Sequence, residues 1–117
     1  MSAGQKRVIC ISWDRFLSES RELLLKHAGY EVLSAAYENG ARRACKQDAD
    51  LLILGHSVPQ EEKRWIIECF RQHSNAPVLS LLAPWQQKLP EATYGVHSNP
   101  EDFLRTVNQV LRGELRN

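Results

Sequence analysis

Asp14, His56 and His97 come nearest to a reactive constellation, because one carboxylate and two imidazoles could hold a divalent cation. They fall on three separate loops, with neither an i,i+4 ligand pair nor a second carboxylate. Asp14 is therefore expected to cap the helix that follows it, and no metal site is assigned. Ser57 or His56 could in principle carry a phosphoryl group, but no acidic pair is present to hold the magnesium ion such chemistry needs. Cys10 lies inside an apolar run, not in a glycine-rich loop, which argues against a phosphocysteine. Neither G-x-G-x-x-G nor a P-loop follows any apolar run, so a nucleotide enzyme is not indicated. The chain is read as a non-enzyme without catalytic, cofactor or metal ligands.

Cys10, Cys45 and Cys69 are odd in number, far apart and free of C-x-x-C spacing. Each falls in an apolar pattern, so all three are expected to be small buried hydrophobes rather than disulfide partners. His27, near the end of the first helical pattern, is expected on the core side. Lys and Arg total 15 against 14 for Asp and Glu, a net charge of +1, with no basic cluster beyond Lys6-Arg7 and Arg42-Arg43. That balance makes no case for nucleic acid or an anionic membrane. The longest apolar run is Leu51 to Leu54, far short of a membrane span, and nothing at the N-terminus suggests export. A cytoplasmic location is expected.

The elements that would position these residues alternate along the chain without an internal boundary. A single domain is therefore expected over residues 1–117, with its core from about 6 to 113. Val8 to Ile11, Glu31 to Ala36, Leu51 to Leu54, Val78 to Leu82 and Tyr94 to His97 read as strands. Phe16, Leu17, Ser20, Leu23, Leu24, His27 and Ala28 recur at helical spacing, and Gly29 is placed to end that helix. Tyr37, Ala41, Ala44 and Cys45 share one side of a short helix. Ile66, Cys69 and Phe70, with Trp65 and Ile67 beside them, form the stripe of another. Pro84 to Thr93 is broken by prolines and should hold at most a turn or so of helix. Asn99 and Pro100 open a last helix with core residues Phe103, Leu104, Val107, Val110 and Leu111. Strands that are apolar nearly throughout need cover on both faces. The expected fold is α/β, a doubly wound five-stranded parallel sheet in the order 2-1-3-4-5. Ligands and chemistry in such sheets gather at the carboxyl ends of the strands.

The stretches Arg7 to Val32, Asp50 to Pro59, Ala76 to Ala83 and Asn99 to Leu104 together resemble the receiver domains of response regulators. The resemblance covers nearly the whole chain and implies a flavodoxin-like fold. It further implies an acidic pair after the first strand, a phosphoacceptor aspartate after the third, a hydroxyl after the fourth and a lysine after the fifth. The gapless match has Ser12 and Trp13 in place of the acidic pair, Gly55 at the acceptor position and Leu82 at the hydroxyl. Val96, His97, Ser98 and Asn99 run through the lysine region. The degenerate pocket thus comprises Ser12, Trp13, Asp14, Gly55, His56, Leu82 and Ser98. Trp13 either fills the space over Gly55, as expected here, or lies at the surface as a partner contact.

These departures imply a non-phosphorylatable module of a two-component or related pathway that acts by protein–protein interaction. Its partner would be a histidine kinase, another receiver or a second copy. A less well covered sheet edge beside Pro84 to Thr93 suggests a homodimer or partner surface. Two alternatives stay open: a flavodoxin-like domain binding a small ligand at the strand ends, and an atypical receiver regulated by other means.

Overall fold

The computed structural model describes residues 4–97 and 100–114, without the side chains of Pro100 and Glu101. Its elements are β1 (Arg7–Ser12), α1 (Arg15–His27), β2 (Glu31–Ala36), α2 (Tyr37–Ala44), β3 (Leu51–Leu54), α3 (Gln60–Arg71), β4 (Val78–Leu82), β5 (Tyr94–His97) and α4 (Pro100–Leu111). All neighbouring strands are parallel, in the order β2-β1-β3-β4-β5. The doubly wound sheet expected from the apolar runs is therefore present.

Strand alternation divides the core into two layers. Ile9, Ile11, Leu52 and Leu54 pack with Ala41 and Ala44 of α2 and Ile66, Ile67 and Phe70 of α3. Val8, Cys10, Leu51 and Ile53 face the other way, onto Leu25 of α1 and Phe103 and Val107 of α4. β3 and β4 are buried along their whole length, as sheet interiors covered on both sides must be, while the edge strands β2 and β5 are partly exposed. Gly29 follows α1 at φ 99°, a left-handed conformation that glycine adopts without steric cost. β2 runs into α2 with no loop, and Tyr37 makes that sharp change at φ 63°.

Two expectations about these elements need correction. The inward residues of α1 are Ser18, Arg21 and Leu25, not the apolar stripe read from the sequence. Phe16 and Leu23 are 84% and 70% exposed, and His27 is also at the surface. Periodicity finds the most apolar side of a helix, but polar positions under α1 claim a different side. Ser18 meets Ser34 there at 2.7 Å between hydroxyl oxygens.

Cys45 and Cys69 are joined as a disulfide with their Cα atoms 5.8 Å apart, and Cys10 alone stays free. Cys45 follows α2 and Cys69 lies on α3. The two helices cover the same sheet layer and bring together thiols that no spacing motif connects.

Residues 83–93 contain turns and no helix, within the limit of a turn or so of helix that the prolines set. Lys88 folds over Gly95 of β5, and a Cβ at Gly95 would come within 2.9 Å of the Lys88 Cβ. Its Nζ donates to the Leu89 and Ala92 carbonyls at 3.1 and 3.0 Å, tying the segment down without helical hydrogen bonds.

Candidate functional site

The carboxyl ends of β1 and β3 lie side by side, and the Gly55 N–H donates to the Ile11 carbonyl at 2.8 Å. Just past them, hydroxyl groups occupy the region where the resemblance implies carboxylates. Ser12 is fully buried, with its Oγ 3.0 Å from Ser57 Oγ. Ser12 Oγ also accepts the Asp14 N–H at 3.0 Å, while Ser57 Oγ accepts the Trp13 N–H at 3.0 Å. Asp14 Oδ1 accepts the Leu17 N–H at 3.1 Å, so this carboxylate caps α1 as expected. A neutral hydroxyl pair and a helix cap leave the rim poorly suited to a hard cation, which seeks several free oxygens. Among the described residues no group of three His, Cys, Asp or Glu side chains converges.

Gly55 itself is buried, and Arg21 stands over it. A Cβ at Gly55 would lie 2.9 Å from Arg21 Nη1 and 3.3 Å from both Cβ and Oγ of Ser12. The expectation that Trp13 fills this space is therefore overturned. Trp13 continues the Ile9-Ile11 side of β1 and packs against the layer under α2 and α3, whereas the space over Gly55 opens towards α1. The alternation of side chains along a strand separates the two residues onto opposite faces. Trp13 is half-buried, neither a full core residue nor a free surface ring.

Arg21 is only 5% exposed, and its guanidinium carbon lies 5.9 Å from the centre of the Phe103 ring, within reach of a cation–π contact. Burial lowers its pKa from the usual arginine value, partly offset by Cys10 and Asp14. His56 follows Gly55 and is half-buried; burial lowers its pKa, and the charges of Arg21 and Lys63 lower it further. The imidazole Nδ1 is buried without a hydrogen-bond partner among the described residues, and the His56 carbonyl accepts from Gln86 Nε2 at 3.2 Å. Leu82 is buried at the end of β4 and His97 exposed at the end of β5. Ser98 lies outside the described residues.

Sequence reasoning missed Arg21 and Lys63. Lys63 of α3 is fully buried and donates from Nζ to Ser80 Oγ at 2.9 Å and the Leu81 carbonyl at 3.0 Å. Burial pushes this amine down to about 8. Its spacing from Ile66, Ile67 and Phe70 is i+3, i+4 and i+7, so periodicity alone could have found it. No such signal marks Arg21, whose inward turn depends on the rotation of α1.

No family model matches the chain. Over 108 residues it is 26% identical to the transcriptional regulatory protein GltR of Pseudomonas aeruginosa, covering 89% of this chain and 44% of that protein. The chain thus spans less than half the length of this curated relative. A CheY-like response regulator receiver domain protein from Methanospirillum hungatei superposes with a TM-score of 0.78 at 17% identity, over 95% of this chain and 97% of that one. The chemotaxis protein CheY4 of Vibrio cholerae gives 0.73 at 24% identity, over 92% and 99% of the two chains. Response regulator protein TrrA from Thermotoga maritima, solved in complex with Mg2+-BeF, gives 0.75 at 19% identity, over 91% and 99%. The fold is that of response-regulator receiver domains.

Proposed function

We propose that this chain is a receiver-like signalling module that takes no phosphoryl group and acts by binding protein. The observation that carries the reading is at Gly55, where a phosphoacceptor carboxylate would be needed. That position has no side chain, and a guanidinium lies against it. Ser12, Trp13 and a capping Asp14 stand where magnesium ligands would be required. A carboxylate attacks a phosphoryl group only where a hard cation offsets the crowded oxygens, and neither part of that pair is available.

The partner belongs to a two-component or related regulatory pathway: a histidine kinase, another receiver domain or a second copy of this chain. A cytoplasmic location and a role without enzymatic activity accompany this reading. Among the described residues no helix is long and apolar enough to cross a membrane.

Incubation with acetyl phosphate and magnesium, followed by intact-mass spectrometry, tests the chemistry. The expected result is no acid-labile adduct, and a stoichiometric phosphoryl adduct would overturn the proposal. Sedimentation at high protein concentration then separates self-association from dependence on a different partner.

A further inference from the structure

The apolar stripe of α1 that the sequence singles out does not face the sheet. Ser18, Arg21 and Leu25 take the inner side of the helix, and Phe16 and Leu23 point to solvent. Of the five large hydrophobic side chains exposed among the described residues, Phe16, Leu23, Leu24 and Trp85 lie on this one face. Leu17 and Leu24 share a depression with Trp85, and Leu23 and Leu24 share the adjoining one with Leu104 of α4.

The patch has the extent that a protein interface needs. At 84% and 81% exposure, Phe16 and Trp85 present roughly 250–400 Å² between them. Leu23 and Leu24 bring the apolar area to on the order of 500 Å². Interfaces are about 60% apolar, so a face built round this patch would cover about 800 Å² per partner, the standard size.

The order of the residues says which partner fits. Reading outward from Ser20 in either direction, Leu17 and Leu23 stand three residues away, and Phe16 and Leu24 four. Those spacings return to the same side of a helix, so Ser20 lies in the middle of the stripe. A second α1 laid antiparallel, with a two-fold axis through Ser20, therefore meets the same pattern that it presents. Phe16 and Leu17 of one copy then lie against Leu23 and Leu24 of the other, twice over. A two-fold interface requires this kind of self-complementarity. Ser20 is small and exposed, which lets the two helix axes approach to the ~8–10 Å of packed helices.

We propose that the outer face of α1 is the contact surface of an antiparallel two-fold dimer of this chain. This rests on the protein-binding reading above and names one partner among those it allows.

Sedimentation equilibrium of the full chain from about 5 to 500 µM should show monomer–dimer exchange with a Kd of about 10–100 µM. Phe16→Lys and Leu23→Glu should each weaken it by about tenfold or more, by setting a charge against an apolar partner. Together in one chain they should restore much of the lost affinity, because the two-fold axis sets each new charge beside its opposite on the other copy. A short bismaleimide should join Ser20→Cys to its partner copy, but not Glu68→Cys on the exposed side of α3. The native cysteines do not interfere, since Cys10 is buried and Cys45 and Cys69 are bonded. Circular dichroism of dilute protein, where the monomer prevails, should be the same for all variants, which separates lost association from lost folding. A monomer throughout the range, a dimer indifferent to either single charge, or no rescue in the double variant would overturn the proposal. A monomer would still leave the protein-binding reading to a different partner, and the acetyl phosphate result bears on that reading alone.

Discussion

Arg21 Nη1 lies 2.9 Å from the point that a Cβ on Gly55 would occupy, so a helix guanidinium borders the end of the third strand. The far end of an arginine can move aside, whereas backbone could not. Gly55→Asp should therefore place a carboxylate next to the Arg21 guanidinium. In a double-mutant cycle, Arg21→Met should cost about 1–3 kcal/mol more in the Gly55→Asp background than in the wild-type chain. Urea unfolding of the four proteins measures this coupling, and additive effects would refute the pairing.

Trp13 and Gly55 sit on opposite faces, which predicts independence. Trp13→Ala should destabilise the fold by about 1–3 kcal/mol, less than loss of a fully buried aromatic ring. Combined with Gly55→Ala, the effects should add to within about 0.5 kcal/mol. Chemical denaturation of the single and double variants provides the check.

The rotation of α1 gives a second stability test. Phe16→Ser and Leu23→Ser should each change stability by no more than about 0.5 kcal/mol, as surface substitutions do. Leu25→Ala, at the buried position of the same helix, should cost about 2–5 kcal/mol. Thermal unfolding of the three variants would reveal a reversed ranking if the sheet took the other face.

Lys63 predicts a pH dependence. The unfolded chain keeps this proton to near 10.5, while the folded chain releases it near 8. Between those values the unfolded state binds more protons, so raising pH favours the fold. Relative to Lys63→Met, the wild-type chain should gain up to about 3 kcal/mol across this window. Unfolding free energies of both proteins near its two ends measure the difference.

The disulfide between Cys45 and Cys69 closes a loop with a sequence separation of 24. Cys69→Ser should lower stability by about 2–4 kcal/mol under oxidising conditions, chiefly by freeing the unfolded chain. In a reducing buffer that penalty should largely vanish. Denaturation with and without dithiothreitol compares the two cases.

The sheet was legible because β1, β3 and β4 carry uninterrupted apolar runs, and parallel crossovers leave few ways to arrange them. Asp14 was legible too, since a cap depends on its immediate neighbours. The occupant of the space over Gly55 was not. Assigning Trp13 to it treated two strand ends as facing each other without following the alternation of β1. Arg21 was hidden because the apolar residues of α1 form a more persuasive stripe than its true inner face. Cys45 and Cys69 needed the packing of two helices to become neighbours. In each miss, tertiary placement outweighed a local pattern.

The crossover from β4 to β5 has a consequence for how the molecule opens. Four strands are linked by helices that contribute to a packed layer, but β5 is reached through turns tied down by Lys88 and Thr93. β5 is also short and partly exposed, and among the described residues it pairs with one neighbouring strand only. Few buried contacts must therefore break before its ladder to β4 parts, whereas β1 and β3 separate only when both layers are lost. In native-state amide exchange, the β5 protons should report a sub-global opening with a lower free energy than complete unfolding.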